Sequence, residues 1–386
     1  MSEPLRASII ITSYNYGRYL PETIDSALAQ TYPHTEVIVV DDGSTDNSRE
    51  VILGYGSRVI PVLKANGGQA SAFNAGFRHS GGDVILFLDS DDALLSSAVE
   101  TAVRCFEDTG VAKVHWPLWE IDERSRRTGR VHPPRELPEG NLREQMIRDG
   151  PDSYATPPTT GNAWARWFLE RVLPMPEPEY VTCPDGYLAV LAPLFGRLAR
   201  IPEPQGLYRV HGQNNMGGIF YREKIRLFDH RCAVLQEYLR REGLSVDPEV
   251  WKRPYYSWLR QIELAEQDLA TVLSSEDTAR FILVDEDQFR GEFAAGQRAI
   301  PFLQRGGQYW GPPPDDETAI RELERLRRAG ARFLAFAWPA FWWLEHYTGF
   351  HRHLRSHYPR LLENERLLVF DLRTSFAPLP RQTAYE

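Results

Sequence analysis

The chain has 386 residues, too long for one small core and of a length for two or three domains. Hydrophobic residues make up 42% and charged residues 25%, the balance of a soluble globular protein. A formal charge of −9 argues against nonspecific nucleic-acid binding, which needs a basic footprint, and the scattered Cys105, Cys183 and Cys232 have neither disulfide nor metal-ligand spacing.

The first hundred residues alternate strand and helix. Ala7 to Thr12 is an unbroken apolar run and reads as a buried strand. Pro21 opens a helix through Leu28, in the first-turn position where its missing N–H costs nothing. Glu36 to Val40 is a second strand ending in Asp41-Asp42-Gly43-Ser44, and Thr45 and Asp46 can cap the helix that follows. Val59 to Leu63 is a third strand, Ser71 to His79 a helix, and Val84 to Leu88 a fourth strand. This order predicts an α/β fold with a mostly parallel sheet, helices on both faces, and ligands at the carboxyl ends of the strands.

Residues 125–160, rich in Pro, Arg and Glu, read as loops and short helices. Residues 220–275 have helical spacing of Leu227, Leu235, Leu239, Leu259, Ile262 and Leu269. The α/β pattern then restarts: strands at Phe281 to Val284, Arg332 to Ala337 and Leu367 to Phe370, a charged helix at Thr318 to Ala329, and another helix from Pro339. Gly306-Gly307 and Pro312-Pro313-Pro314 mark a loop between the early strands. The expected domains are 1–218, a helical linker at 219–277, and a smaller α/β domain at 278–386. Phe333 to Leu344 is the most apolar stretch and falls short of the roughly 20 residues that span a bilayer; it reads as a strand running into a core helix. The first residues lack the apolar core of a secretory signal. The expectation is a cytoplasmic protein that can touch a membrane peripherally.

Three strand ends carry polar, reactive groups: Thr12-Ser13-Tyr14-Asn15, Asp41-Asp42-Gly43-Ser44 and Asp89-Ser90-Asp91-Asp92. In a parallel sheet they converge on one rim. Three carboxylates after the apolar run Val84 to Leu88 are costly to bury unpartnered, and hard oxygen ligands of this kind suit Mg²⁺ or Mn²⁺, which can bind a diphosphate. Asn66-Gly67-Gly68-Gln69 precedes a helix, where glycines let N–H groups face an anion.

These stretches, with Ser8 to Asn15, Ser26 to Tyr32, Val37 to Asp46, Asn66 to Gln69, Asn74-Ala75-Gly76 and Leu88 to Asp92 in that order, resemble the family 2 glycosyltransferases of GT-A fold over about residues 5–215. The resemblance implies that Thr12, Tyr14 and Asp42 hold the base of a nucleotide sugar, with Asp41 the alternative acceptor of a ring N–H, and that Asn15, Asn66, Gly68 and Asn74 line the donor cleft. Asp91 and Asp92 are the main cation ligands it implies, and Asp89 helps through ribose or indirect contacts. Asp185, in Thr182-Cys183-Pro184-Asp185-Gly186-Tyr187-Leu188, aligns with the family's base, although Pro184 stands where an acidic residue is common. Leu207 to Asn214 is similar to the stretch closing the catalytic domain. There His211 can ligate the metal or touch the diphosphate, and Arg209 can pair with phosphate or a carboxylate. Thr159 to Trp164 is assigned to the acceptor side, with a core position for Trp164 the alternative.

The implied activity is metal-dependent, inverting transfer of a sugar from a nucleoside-diphosphate sugar to a hydroxyl on a carbohydrate, lipid-linked or protein acceptor. Its rivals are a nucleotide-sugar-binding scaffold without turnover and a nucleotidyltransferase. The latter usually has a Gly-rich basic loop after strand one, absent from Thr12-Ser13-Tyr14-Asn15. No sequence feature fixes the donor sugar, the acceptor or the oligomeric state. In residues 278–386, Asp285-Glu286-Asp287 reads as a second acidic rim or a solvated turn, and Trp310, Trp338, Trp342 and Trp343 as a packed interface or an acceptor or partner surface.

Overall fold

The computed structural model describes residues 3–211, 221–273, 280–289, 299–305 and 308–374. The expected domain boundaries near 218 and 277, Gly212 to Asn214, and the Gly306-Gly307 turn lie outside the described residues. The chain divides into two compact units: Met1–Asn215 with Glu223–Arg253, and Met216–Arg222 with Pro254–Glu386.

The first unit begins with β1 (Ala7–Ser13), α1 (Leu20–Leu28), β2 (Thr35–Asp42), α2 (Ser48–Gly54), β3 (Ile60–Lys64), α3 (Gln69–His79) and β4 (Val84–Asp89). It continues through β5 (Ala93–Leu94), α4 (Ala98–Cys105), β6 (Val111–His115), β7 (Leu118–Ile121), β8 (Arg127–His132), α5 (Arg143–Asp149), β9 (Asn162–Ala165), α6 (Arg166–Val172), α7 (Pro184–Phe195), β10 (Arg197–Arg200) and β11 (Gly206–Arg209). Seven strands form one sheet in the order β10-β6-β9-β4-β1-β2-β3. Its pairs β1–β2, β1–β4, β2–β3 and β6–β10 are parallel, and β9 alone runs antiparallel to both neighbours. Every residue of β1 is buried, as a central strand covered on both faces requires. The helix expected at Pro21 starts at Leu20, with the proline in its first turn.

A second sheet, β5-β11-β7-β8, stands beside the acidic turn. β5 follows Asp92 after no intervening residue and pairs with β11, Gly206 opposite Leu94 and Leu207 opposite Ala93. That pairing carries Arg209 and His211 onto the Asp91-Asp92 turn. β8 corrects the expectation of only loops and short helices in 125–160. Its inward side is polar: Thr128 Oγ1 and His132 Nε2 lie 2.8 and 2.6 Å from the carboxylate of buried Glu120. A strand gripping a carboxylate has no apolar alternation to betray it.

The helical stretch at 220–275 is α8 (Tyr221–Arg241) and α9 (Glu249–Leu273). The second unit holds β12 (Phe281–Val284), β13 (Ala299–Pro301), the short hairpin β14 (Gln304–Arg305) and β15 (Gln308–Tyr309), α10 (Asp316–Arg328), β16 (Phe333–Ala337), α11 (Trp342–His346), α12 (Thr348–His357), β17 (Arg360–Glu363) and β18 (Leu367–Asp371). Its main sheet runs β13-β12-β16-β18-β17, parallel up to β16 and antiparallel beyond. Leu323, Leu334, Phe336, Trp343, Phe350 and Leu354 belong to its core.

The Asp285-Glu286-Asp287 turn is only partly solvated: Asp287 is exposed and Glu286 partly so. Asp285 is buried and accepts from the N–H groups of Asp287 and Phe289 at 3.1 and 3.0 Å. Glu286 Oε1 accepts from the indole N–H of both Trp342 and Trp343, at 2.8 and 3.0 Å. Trp343 is fully buried, so part of the expected aromatic surface is core. No described helix is long and apolar enough to cross a membrane.

Candidate active site

The register of the large sheet sets the site. Thr12 lies opposite Asp89, and Ser13 opposite Asp41, so the ends of β1, β2 and β4 share one rim. Thr12 Oγ1, Ser13 Oγ and Asp41 Oδ1 are buried there and make no hydrogen bond with any described residue. Buried polar atoms are nearly always satisfied, so each is a place where a polar ligand or water can supply a partner; Ser13 and its strand partner Asp41 share one face of the sheet, and Thr12 with Asp89 the other. Tyr14 follows them with 46% of its surface exposed, a ring face on the same edge. Asn15, in the left-handed region (φ 60°), is a brace: its N–H donates to Ser44 Oγ at 2.9 Å and its Oδ1 accepts from Thr45 N at 2.7 Å.

The two aspartates of β2 have different surroundings. Asp41 Oδ2 accepts from Arg49 Nε at 2.7 Å and from Gly43 N and Ser44 N at 3.2 Å, leaving Oδ1 to the rim. Asp42 is occupied by its own chain. It pairs with Lys64 Nζ, and accepts from Gly67 N at 3.0 Å and Gly68 N at 2.8 Å. Asn66 Nδ2 donates to Asp42 O at 2.9 Å. The glycine loop therefore does face an anion, and that anion is Asp42. The next amides, Gln69 N and Ala70 N, donate to Val181 O and Tyr180 O at 2.9 and 3.2 Å. Asn74, expected at the cleft, is buried. Its amide donates to Met175 O at 3.0 Å while its oxygen accepts from Met175 N at 3.0 Å, so it ties α3 to the 175 loop.

The acidic turn divides its three carboxylates. Asp92 is buried, with Oδ2 2.6 Å from Thr160 Oγ1 and Oδ1 2.8 Å from Arg209 N; both oxygens are used within the protein. Asp91 Oδ2 lies 3.0 Å from His211 Nε2. Asp89 Oδ1 accepts from Gln69 Nε2 at 2.9 Å. Burial, with Asp91 and Asp185 nearby, pushes the Asp89 carboxyl up to about 8, against hydrogen bonds from Thr159 and Gln69. Asp92 is pushed up by burial and by Asp91 and Asp89. The Tyr16 hydroxyl is held well above its ordinary range by burial and by the same three aspartates.

This negative cluster fits a divalent cation of the Mg²⁺ or Mn²⁺ type, but not one caged by protein alone. No group of three or more His, Cys, Asp or Glu with metal-holding geometry occurs among the described residues. Asp91 and His211 would hold the ion, with diphosphate oxygens and water completing the shell, the usual manner for Mg²⁺. Asp92, the other expected ligand, accepts from Thr160 Oγ1 and the Arg209 N–H. His211 is buried and stacked on Tyr19, ring centroids 5.2 Å apart. Arg209 is also internal: Nε donates to Asp91 O at 2.7 Å, and NH2 pairs with Glu22 at 2.7 Å.

Asp185 sits in the first turn of α7, after Cys183 in the left-handed conformation (φ 56°) and Pro184, within electrostatic reach of Asp89. The residue capping this helix is Cys183, so Asp185 is no N-cap. Burial pushes its carboxyl up, while Lys113, the N–H of Gly186 and Arg231 hold it down. In the 159–164 patch, Thr160 donates to Asp92, and Trp164 takes the alternative core position as a buried residue of β9.

Lys64, Gln69, Tyr16 and Lys113 complete the surroundings and carried no role in the sequence reading. Lys113 left a signal, a lone cation in the strand-like run Val111-Ala112-Lys113-Val114-His115.

Residues 8–163 match the Glycosyl transferase family 2 model. An uncharacterized glycosyltransferase of Nostoc sp. is 35% identical over 215 residues, 55% of this chain and 66% of that protein. The chondroitin synthase of Pasteurella multocida is 46% identical over 102 residues, 26% of this chain and 11% of that protein. The chain thus spans just under two thirds of the first relative and about a tenth of the second. The solved S. aureus TarS 1-349 in complex with UDP-GlcNAc aligns over 85% of this chain and 93% of that chain, at 16% identity and a TM-score of 0.47. Residues 8–163 of the chain are thus a glycosyl transferase family 2 domain.

Proposed function

We propose that the protein is a divalent-cation-dependent, inverting glycosyltransferase that moves a sugar from a nucleoside-diphosphate donor to a hydroxyl acceptor. The observation that carries this reading is the approach of Asp185, from a helix start, to the Asp89–Asp91 turn at a sheet end: Asp185 lies close enough to raise the Asp89 carboxyl. One carboxylate can then serve as base while the others face a charged leaving group. Tyr14 would stack on the base of the nucleotide. Thr12 Oγ1, on the same face of the sheet as Asp89, would supply a polar contact. Asp42 would act indirectly by fixing Asn66 and Gly68, and Asp89 would face the ribose side.

Asp91 and His211 would hold the cation, which when bound neutralises charge on the departing diphosphate. Asp185 would accept the proton of the acceptor hydroxyl as that oxygen attacks the anomeric carbon, on the face opposite the leaving diphosphate. The acceptor class — carbohydrate, lipid-linked or protein — is left to the assay. The test is nucleoside-diphosphate release from a panel of UDP- and GDP-sugars, with and without Mn²⁺, for wild type and Asp185→Asn. Mn²⁺-dependent release that Asp185→Asn lowers by about a hundredfold or more is the expected result. Full activity of Asp185→Asn would remove the base. Donor binding with no release across a broad acceptor panel would make the protein a scaffold.

A further inference from the structure

Lys113 occupies the middle of β6, paired with Trp164 of β9 and Leu198 of β10, and has no exposed surface. A lysine in such a position needs compensation, because burial disfavours its charge. Its Nζ donates to Thr156 Oγ1 at 2.9 Å and sits 5.2 Å from the ring centroids of both Tyr154 and Trp164. Those contacts are neutral. No described carboxylate lies within ion-pair distance of it. The acid within electrostatic reach is Asp185, on α7, which packs against β6.

We propose that Lys113 is a positioning residue for Asp185: a positive charge fixed beneath the rim keeps the base ionised and oriented beside the carboxylates of the acidic turn. The proposal rests on the base reading above. Asp185 without a nearby cation would meet burial and the Asp89–Asp91 charge together. The rings of Tyr154 and Trp164 add cation–π attraction and exclude water, so the charge is held in place and weakly screened. The charged and titratable groups facing this pair are few. Around Lys113 they are Tyr154, from the stretch between α5 and β9, and His115 on the same strand, whose own proton is disfavoured by burial and by Lys113. Around Asp185 they are Arg231 of α8, Asp89 of β4 and Cys183. Arg231 pairs with Asp152 at 2.7 Å, so its charge is shared. Burial pushes Lys113 down to about 7, with Asp185 opposing that shift, so the pair is fully charged only below neutrality and above the Asp185 carboxyl.

The test has two parts. Urea unfolding of wild type, Lys113→Met, Asp185→Asn and the double variant needs no donor. Coupling predicts that the double variant loses much less than the sum of the two single losses; additive losses overturn the proposal. The second part follows nucleoside-diphosphate release against pH, with Mn²⁺ and the best donor of the sugar panel. Lys113→Met should move the acidic limb to higher pH, recovering activity at alkaline pH, and Lys113→Arg should move it back. A loss equal at every pH, or an unmoved limb, overturns the proposal while leaving the base reading intact. Full activity of Asp185→Asn would instead overturn the base reading itself.

Discussion

His211 Nε2 stands 3.0 Å from Asp91 Oδ2, and its ring is stacked on Tyr19. The imidazole comes from the end of β11 and the carboxylate from the turn after β4, 120 residues apart in sequence. The two groups, an imidazole and a carboxylate in hydrogen-bond contact, are both of types that bind divalent cations. If both bind the cation, His211→Asn should raise the Mn²⁺ concentration for half-maximal nucleoside-diphosphate release by about 10- to 100-fold, the range seen when ligand geometry is lost. Asp91→Asn should do more. Unchanged Mn²⁺ dependence in His211→Asn would remove it from the site.

Asp91 and Asp92 are neighbours with different hydrogen-bond partners, and stability should separate them. Asp92 satisfies Thr160 Oγ1 and Arg209 N inside the protein. Asp92→Ala leaves both donors buried without an acceptor and should cost about 1–3 kcal/mol for each. Asp91→Asn keeps its shape at a partly exposed position and should cost less than about 1 kcal/mol in the absence of metal. Urea midpoints of the two variants decide the matter. Equal losses would mean that the turn acts as one structural unit.

The order β1 to β4 and the polar character of its three strand ends were legible because long apolar runs closed abruptly in Asp, Ser, Thr and Asn. The divisions within each motif were not. Nothing in Asp41-Asp42 says which carboxylate will hold Gly67 and Gly68, since that depends on Lys64 and the loop arriving from β3. Likewise, Asp92 looks as good a ligand as Asp91 until Thr160 and Arg209, far away in sequence, are brought against it. β8 escaped notice because its inward face is Thr128, Arg130 and His132 around Glu120. In the second unit, Trp343 follows an apolar strand as a core residue should, but the pairing of both indoles with Glu286 depends on a turn whose residues Glu286 and Asp287 adopt positive φ.

Asp285 offers a pH test away from the active site. Burial pushes its carboxyl up to about 6, against the N–H groups of Phe289 and Asp287. The folded state therefore prefers the neutral acid more than the unfolded state does. That contribution is fully present below about pH 4, the ordinary carboxyl range, and is lost as pH rises through about 6. Asp285→Asn stays neutral throughout. The difference in urea midpoint, variant minus wild type, should move in favour of the variant between pH 4 and 7. A difference independent of pH would show that the Asp285 carboxyl titrates alike in both states.

Gly68 links fold to chemistry most directly. Its φ is +86°, it precedes the first turn of α3, and a Cβ there would lie 2.9 Å from Val181 Cγ1 and 3.0 Å from Val181 Cα. Alanine meets two penalties: about 1–3 kcal/mol for a backbone conformation that is essentially glycine-only (φ 86°, ψ 172°), and a collision with backbone that cannot move alone. Val181 O and Tyr180 O hold the first amides of α3, and the same segment leads through Cys183 into Asp185. Displacing it moves the proposed base relative to the acidic turn, and a misplacement of about 1 Å can cost about a hundredfold in rate. Gly68→Ala should therefore lose roughly tenfold or more in nucleoside-diphosphate release at temperatures where circular dichroism shows it still folded. Ser80→Ala, at the far end of α3, is the control. The Ser80 hydroxyl donates to Phe77 O at 2.8 Å and accepts from Arg166 at 2.7 Å, so its loss can lower stability while release stays unchanged. A Gly68→Ala protein with wild-type stability and activity would mean that the 180–185 segment adapts freely and that its position does not set the site.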